Sequence, residues 1–322
     1  MKMNKLDFTK LLAPGVLVLL YIFFSIFGTN FFSVDYLINI LDGSYFIAFM
    51  AIGVTFVIIT GGIDLSLGTT MMCAALLGGY AFNVWNWPMP ACLLLTVLVA
   101  TTFGLLNGIM IAYLKLPPFI ATLGMQMIGM GFGAIVTKVQ TMRYPTFGTP
   151  EGFFKNLFYK TSTGFPVGIF WLIGFFVIAW VLLNYTRFGR YTFAIGPNRE
   201  AARLSGIKTR PWLAGVYAFC GFCSGLAAIF YSAVYTSIIP STGNGQELLG
   251  IAAVVIGGTS MRGGTGSLFG TIIGVFVMSV LRQGLMSMGL QSHWQTFFTG
   301  VVVIGAVLLD QYRLKRGNRI NT

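Results

Sequence analysis

The sequence predicts an all-α fold: a polytopic transmembrane helical bundle of about ten spans, with N- and C-termini cytoplasmic. Three observations carry this. Of 322 residues, 56% are hydrophobic and 9% charged, well beyond what a soluble core needs. Charge-free apolar runs of about 18 residues or more recur, each long enough to cross a bilayer as a helix. Between Arg187 and Arg210, by contrast, Arg187, Arg190, Arg199, Arg203, Lys208 and Arg210 crowd around Glu200 in a polar island with long, nearly uncharged stretches on both sides. Lipid offers a bare backbone no hydrogen bonds, so the spans must be helices and the turns must fall at polar breaks.

Taken in order, Lys2, Lys5 and Lys10 precede a first span near Leu11 to Gly28, which enters from the cytoplasm and is read as a span because no small-x-small cleavage pattern follows it. The second span falls near Gly43 to Gly61. The stretch from Leu65 to Leu114 carries no charge and is too long for one crossing. It divides into Leu65 to Asn83 and Ala91 to Leu114, with Trp85-Asn86-Trp87-Pro88-Met89-Pro90 as interfacial anchor and turn. A fifth span runs from Pro118 to Thr137. A loop with Lys138, Arg143, Glu151, Lys155 and Lys160 leads to the sixth, Pro166 to Tyr185. Beyond the island come Trp212 to Tyr235, a segment from Leu248 to Met261 that is short for a crossing, Gly266 to Met286, and Trp294 to Leu309. In this arrangement fifteen of the 20 basic residues lie inside, among them Lys115, Arg262, Arg313, Lys315, Arg316 and Arg319. Lys138, Arg143, Lys155, Lys160 and Arg282 lie outside, a bias that satisfies the positive-inside rule.

The net charge of +12 suits anionic headgroups, so membrane lipid is an expected partner; no nucleic acid is expected, because no basic aromatic module accompanies the charge. Cys73, Cys92, Cys220 and Cys223 all sit in apolar segments, where Cys220-Gly-Phe-Cys223 is a pair of small packing groups without a nearby charge to activate a thiol. Several of the 41 glycines recur at four-residue spacing: Gly104/Gly108, Gly129/Gly133, Gly221/Gly225 and Gly266/Gly270/Gly274. That spacing lets helix backbones approach closely in lipid.

Catalytic chemistry has little to work with. His293 stands alone, no carboxylate pair or metal set assembles, and no Gly-Lys-Ser/Thr phosphate loop exists, so neither metal nor cofactor is expected in this chain and the protein is not expected to be an enzyme. Asp64, within Gly61-Gly62-Ile63-Asp64-Leu65-Ser66, is the acid most plainly at membrane depth. Such a carboxylate must be capped, paired or turned to water, and both a helix cap and a substrate contact satisfy that demand. Gly257-Gly258 echoes Gly61-Gly62 in the second half, and glycine-broken short segments in both halves point to a central pathway. Glu247 opens the second segment and reads as a solvated helix-start carboxylate. Within the island, Asn198 can cap a short helix holding Glu200 and Arg203, ended by Gly206, with Ala201, Leu204 and Ile207 as a small apolar face.

At these residues the chain resembles the permease subunits of bacterial ABC importers for monosaccharides, the ribose/xylose/galactose type. The resemblance rests on four ordered blocks: Gly61-Gly62-Ile63-Asp64-Leu65-Ser66-Leu67-Gly68; Asn107-Gly108 with Leu116-Pro117-Pro118-Phe119-Ile120-Ala121-Thr122-Leu123-Gly124; Gly196-Pro197-Asn198 with Ala201-Ala202 and Ser205-Gly206-Ile207; and Val255-Ile256-Gly257-Gly258-Thr259-Ser260 with Gly263-Gly264-Thr265-Gly266-Ser267. Met261-Arg262 departs from the uncharged, often aromatic pair expected there.

The resemblance implies a multi-pass protein of the bacterial plasma (inner) membrane, with residues 1–322 as a single transmembrane permease domain and 186–211 as its cytoplasmic coupling loop. It implies three partners: a cytoplasmic ATP-binding subunit that uses the ATP, a periplasmic or extracellular sugar-binding protein, and a second permease copy or homologous permease. The expected substrate path takes in Gly61, Gly62, Asp64, Asn107, Phe119, Thr122, Gln126, Asn244, Glu247, Gly257 and Gly258. The expected ATPase contact takes in Gly196, Asn198, Glu200, Ala201, Ala202, Arg203, Ser205 and Gly206. Two rivals stay open, the same scaffold importing a nucleoside, a branched-chain amino acid or a furanose signal, and a gradient-driven carrier.

Overall fold

The computed structural model describes residues 8–161 and 163–320. Lys2 and Lys5, which bear on the orientation of the first span, lie outside them, as do the side chains of Lys10, Arg313, Lys315, Arg316 and Arg319. Each expected span is met by a helix: α1 (Phe8–Phe27), α2 (Val34–Ile59), α3 (Leu67–Asn83), α4 (Met89–Ala112) and α5 (Pro118–Val136) form the first half. The connecting loop holds a short helix, α6 (Phe153–Phe158), before α7 (Gly168–Tyr185). The island folds as α8 (Arg187–Ile195) and α9 (Arg199–Leu204). Then follow α10 (Thr209–Tyr235), α11 (Gln246–Ile256), α12 (Leu268–Ser287) and α13 (Ser292–Ile320). Two-residue strands, β1 (Met142–Arg143) and β2 (Ser237–Ile238), pair antiparallel at the end of the bundle away from the island.

Six helices, α2, α4, α5, α7, α10 and α12, are long and apolar enough to cross a membrane, which makes the chain multi-pass. Of the other four, α3 and α11 are shorter, at 17 and 11 residues, while α1 and α13 are apolar over Ala13–Phe27 and Ser292–Leu308.

The core is α2. From Asp42 to Ile59 every residue is buried, and from Tyr45 onward the segment is apolar on every face but for Thr55, as a helix with no solvent face must be. Neighbouring α7, α10, α11 and α12 enclose it, with Phe49 stacked on Phe230 at 4.6 Å between ring centroids. Gly53 lets α10 approach so closely that an added Cβ would sit 2.7 Å from Cys223 Cβ, which gives the buried Cys220 and Cys223 their packing role. The glycine columns serve the same purpose: a Cβ on Gly104 would lie 2.7 Å from Gly221 Cα where α4 crosses α10, while Gly270 and Gly274 of α12 face the carbonyls of Gly257 and Ala253. Close backbone approach is how apolar helices gain contact in lipid.

Several boundaries differ from expectation. Helix α2 begins at Val34 rather than Gly43: Ser33 caps it, accepting from the Tyr36 amide at 3.3 Å, and Asp35 sits in the favourable first turn. The helix therefore carries Asp42 into the bundle, 3% exposed. Helix α4 starts at Met89 and includes Pro90, since a first turn has no amide to lose there. Helix α11 starts at Gln246 and stops at Ile256, which buries Glu247 (4% exposed) instead of leaving it solvated. Among the described residues three carboxylates are thus buried, Asp42, Asp64 and Glu247, where the sequence singled out Asp64.

Candidate functional site: the island, two glycine breaks and a buried polar cluster

The two glycine breaks meet at one end of the bundle, and the island closes over both. Helix α2 ends at Thr60, after which Gly61 turns the chain at φ +75°, a backbone state that favours glycine. Helix α11 ends on Gly257, and Gly258 turns at φ +93°. From the segment that follows, the Gly264 amide donates to the Ile59 carbonyl at 2.8 Å. Gly196 of the island wedges into the same point, where a Cβ would strike the Ile59 carbonyl oxygen and the Gly264 nitrogen. A Cβ on Gly264 would lie 2.6 Å from Pro197 Cγ. The joint is backbone against backbone with the rigid Pro197 ring beside it, so a displacement of Gly196-Pro197 has no flexible side chain to absorb it before it reaches α2 and the run into α12.

Beyond the joint, Asn198 caps α9, its side-chain oxygen accepting from the Glu200 and Ala201 amides at 3.0 Å each. Glu200 pairs with Arg203 at 2.8 Å on the surface. Ser205 donates to the Ala201 carbonyl at 3.0 Å and Gly206, at φ +85°, ends the helix. The apolar face differs from expectation: Ala202 is the buried residue, while Ala201 is exposed and Leu204 is 79% exposed. The helix is so short that one residue alone reaches the bundle. Leu204 and the Glu200/Arg203 pair are left as an outward surface.

A cavity of about 690 Å³ opens between the island and the first break. Thr60, Gly61, Gly62 and Tyr217 form its floor, and Lys115, Arg199, Arg203 and Arg210 its basic wall. Arg199 donates to the Ala112 carbonyl at 3.3 Å. Burial, and then the Arg210 charge, hold its guanidinium below the ordinary arginine range.

Further into the bundle, two polar groups flank the first turn of α3. Asp64, 2% exposed, accepts from the Ser66 amide at 2.9 Å, the Ser66 hydroxyl at 2.7 Å and Asn107 at 3.4 Å. Asn107 also donates to Ser66 Oγ at 2.8 Å. Asp64 thus closes an Asx-type turn just before α3 rather than capping it directly. On the other side Gln126 bridges Asn244 at 2.9 Å and Glu247 at 3.1 Å, while Glu247 also accepts from the Gly245 amide at 3.0 Å. Gly68 joins the two groups: a Cβ there would meet the Gly243 carbonyl oxygen and lie 2.5 Å from Glu247 Oε2. The N-termini of α3 and α11 therefore face each other across hydroxyl, amide and carboxylate groups, an arrangement of short interrupted helices typical of transport sites.

Of the expected path residues, Gly61 and Gly62 line the cavity, Gly257 packs against Gly270 of α12, Gly258 makes the turn after α11, and Asp64, Asn107, Gln126, Asn244 and Glu247 form the cluster. Phe119 stands apart, 56% exposed on α5, and Thr122 spends its hydroxyl on the Pro118 carbonyl of its own helix at 2.8 Å. Sequence reasoning missed Ser66, Arg199 and Tyr217. Tyr217, fully buried with its hydroxyl donating to the Ile63 carbonyl at 3.3 Å, braces the segment between Gly62 and Asp64. Its signal, one of several hydroxyls in an otherwise apolar helix, is too common to single out.

Comparison with known proteins fits this architecture. The chain is 38% identical over 316 residues to the ribose import permease protein of Escherichia coli, covering 94% of this chain and 95% of that protein. It is 37% identical to the ribose import permease protein of Bacillus subtilis, over 92% of this chain and 90% of that one. To the galactose/methyl galactoside import permease protein of Salmonella typhimurium it is 33% identical, over 98% of each. No solved structure matches it. Residues 36–307 match the family model described as branched-chain amino acid transport system / permease component, and the chain belongs to that family.

Proposed function

We propose that this chain is the transmembrane permease subunit of an ATP-driven ABC importer, moving a monosaccharide inward across the bacterial plasma membrane. In this reading all ten apolar helices cross or re-enter the bilayer, both termini are cytoplasmic, and residues 186–211 form the coupling loop of a single permease domain. An extracytoplasmic binding protein delivers the sugar. A separate cytoplasmic subunit binds and hydrolyses ATP, this chain holds no cofactor, and a second permease, identical or homologous, completes the path. The names of the ribose and galactose relatives support a sugar as cargo.

The observation that carries the mechanism is the joint of Gly196, Ile59 and Gly264. An ATPase gripping the outward face of α9 moves Gly196-Pro197 as a lever. The lever shifts the ends of both glycine breaks, and the facing termini of α3 and α11 open the cluster of Asp64, Asn107, Gln126, Asn244 and Glu247 first to one side and then to the other. Neutral sugars need hydroxyl-matching donors and acceptors, which this cluster supplies. The test is co-purification: exchanging Glu200 and Arg203 for alanine should release the ATPase while the permease stays folded, and undiminished association would refute the docking role.

Three buried carboxylates favour a second reading, a proton- or sodium-coupled carrier, since ionisable groups at membrane depth mark ion pathways. That carrier would concentrate its substrate in proteoliposomes under an ion gradient without ATP. The importer reading requires the opposite.

A further inference from the structure

Two cavities at the end of the bundle away from the island are untouched by the reading above. One, of about 430 Å³, lies among α2, α10 and α12, walled by Asn39, Asp42, Tyr159, Tyr235, Arg282 and Gln283. The other, of about 150 Å³, passes the first turns of α11 and α13 beside Asn244, Gln246 and Thr299. Arg282, Ser292 and Gln295 line both, so the chambers share a wall. Asn244 then hands the route to Gln126 and Glu247.

Polar atoms here are buried without hydrogen-bond partners. Both carboxylate oxygens of Asp42, Nη1 of Arg282 and Oε1 of Gln246 are in this state. Asp42 is 3% exposed. The Tyr45 and Tyr159 hydroxyls and the Lys160 charge are the neighbours of Asp42, neither hydroxyl closes a short, well-aligned hydrogen bond to its oxygens, and among the described residues no ion pair joins Asp42 to Arg282. Polar atoms left open at a cavity wall are costly to bury, so they call for a ligand that completes them.

The chemistry narrows the ligand. A carboxylate accepts, a guanidinium donates, and the Asn39, Gln283 and Gln295 amides do both. The Tyr159 and Tyr235 rings line the same space, and the Arg282 guanidinium stands 6.0 Å from the Tyr235 ring centroid. A small anion would be repelled by Asp42 and a small cation by Arg282. A neutral ring polyol carries donors and acceptors on its rim and C–H groups on its face, and it matches every wall. The larger chamber falls within the range of about 300–1,000 Å³ typical of small-molecule sites.

We infer that these chambers are the outer receiving site for the cargo, where Asp42 and Arg282 hold a neutral monosaccharide before it reaches Gln126 and Glu247. The inference rests on the sugar-importer reading and adds its outer contacts.

The test uses the full importer, with its ATPase and binding protein, in proteoliposomes supplied with radiolabelled D-ribose, D-fructose or D-galactose. For the sugar that the wild type moves, Asp42→Asn and Arg282→Lys should each cut the sugar moved per ATP about tenfold or more, since removing one partner strands the other groups. A purely structural defect would lower uptake and ATP consumption together, and an unchanged ratio overturns the inference. Should either variant fail to assemble, Ser292→Cys gives an independent readout, because the four native cysteines are buried. A membrane-impermeant thiol reagent added outside should label Cys at that position more slowly with the transported sugar than with equal osmolarity of glycine betaine; no protection overturns the proposal. A wild type that moves none of the three sugars overturns the sugar reading itself, and this inference with it.

Discussion

Gly196→Ala is the sharpest probe of the coupling joint. The new methyl would meet the Ile59 carbonyl oxygen and the Gly264 nitrogen, both backbone atoms that no rotamer change can move aside. Forcing a methyl into a close-packed site costs about 1–3 kcal/mol. Separating Gly264 from Ile59 would add the loss of the 2.8 Å hydrogen bond between them, worth about 0.5–1.5 kcal/mol. A penalty of about 2 kcal/mol on the closed joint shifts its equilibrium about thirtyfold. The outer surface of α9 is untouched, so the ATPase should still co-purify while sugar moved per ATP, measured in proteoliposomes, falls steeply. Gly215→Ala is the control, since its new methyl would meet only Phe188 Cε2 at 3.6 Å, an ordinary contact. A Gly196→Ala importer with wild-type coupling would refute the lever argument, because the island's backbone contact with Ile59 and Gly264 would then carry no motion.

Three further outcomes follow from the cluster and the surface. Asn107→Leu removes the donor to Ser66 Oγ and Asp64 Oδ1, so the thermal unfolding midpoint in detergent should drop by the equivalent of about 1–3 kcal/mol, and a midpoint within error of wild type would exclude a structural role for that bond. Glu247→Ala removes the oxygen that accepts from both the Gln126 and the Gly245 N–H groups; uptake should fall more than with Asn244→Ala, and the reverse order would place the key contact on Asn244. The Glu200–Arg203 pair is 70% and 62% exposed, so breaking it should change stability by less than about 1 kcal/mol, and a larger loss measured by chemical denaturation would mean that α9 is held by more than its cap.

The helices were legible because apolar runs and polar breaks report the lipid directly, and α9 was legible down to its cap, its ion pair and its closing glycine because those signals are local. The N-terminal third of α2 was hidden by Asp35 and Asp42, which read as a break when charge is equated with exposure. Glu247 misled for a related reason: the polar run from Ser241 to Gln246 looks like surface, yet it dives back to Gly68 and Gln126. Gln126 and Glu247 stand 121 positions apart, a separation no periodicity can bridge. The meeting of Gly196, Ile59 and Gly264 has the same character, since each glycine was visible as a break while their common contact is a product of tertiary packing.

The joint and the outer chambers belong to one mechanical unit. Helix α2 runs from Ile59 at the joint to Asp42 in the larger chamber, about 26 Å at about 1.5 Å per residue. Helix α12 leaves the Gly264 side of the joint and carries Arg282 to the same chamber. The two helices are tied near the joint by the Thr55 and Thr271 hydroxyls at 2.9 Å, and near the chamber by Gln283 donating to the Asn39 carbonyl at 3.2 Å. Pinned at both ends, they cannot slide past each other without breaking those bonds. A push on Gly196 therefore reaches Asp42 and Arg282 together. The groups inferred to receive the sugar ride on the two helices that meet the island at the joint, and on the proposed lever mechanism release at the outer end is timed by the stroke at the inner one.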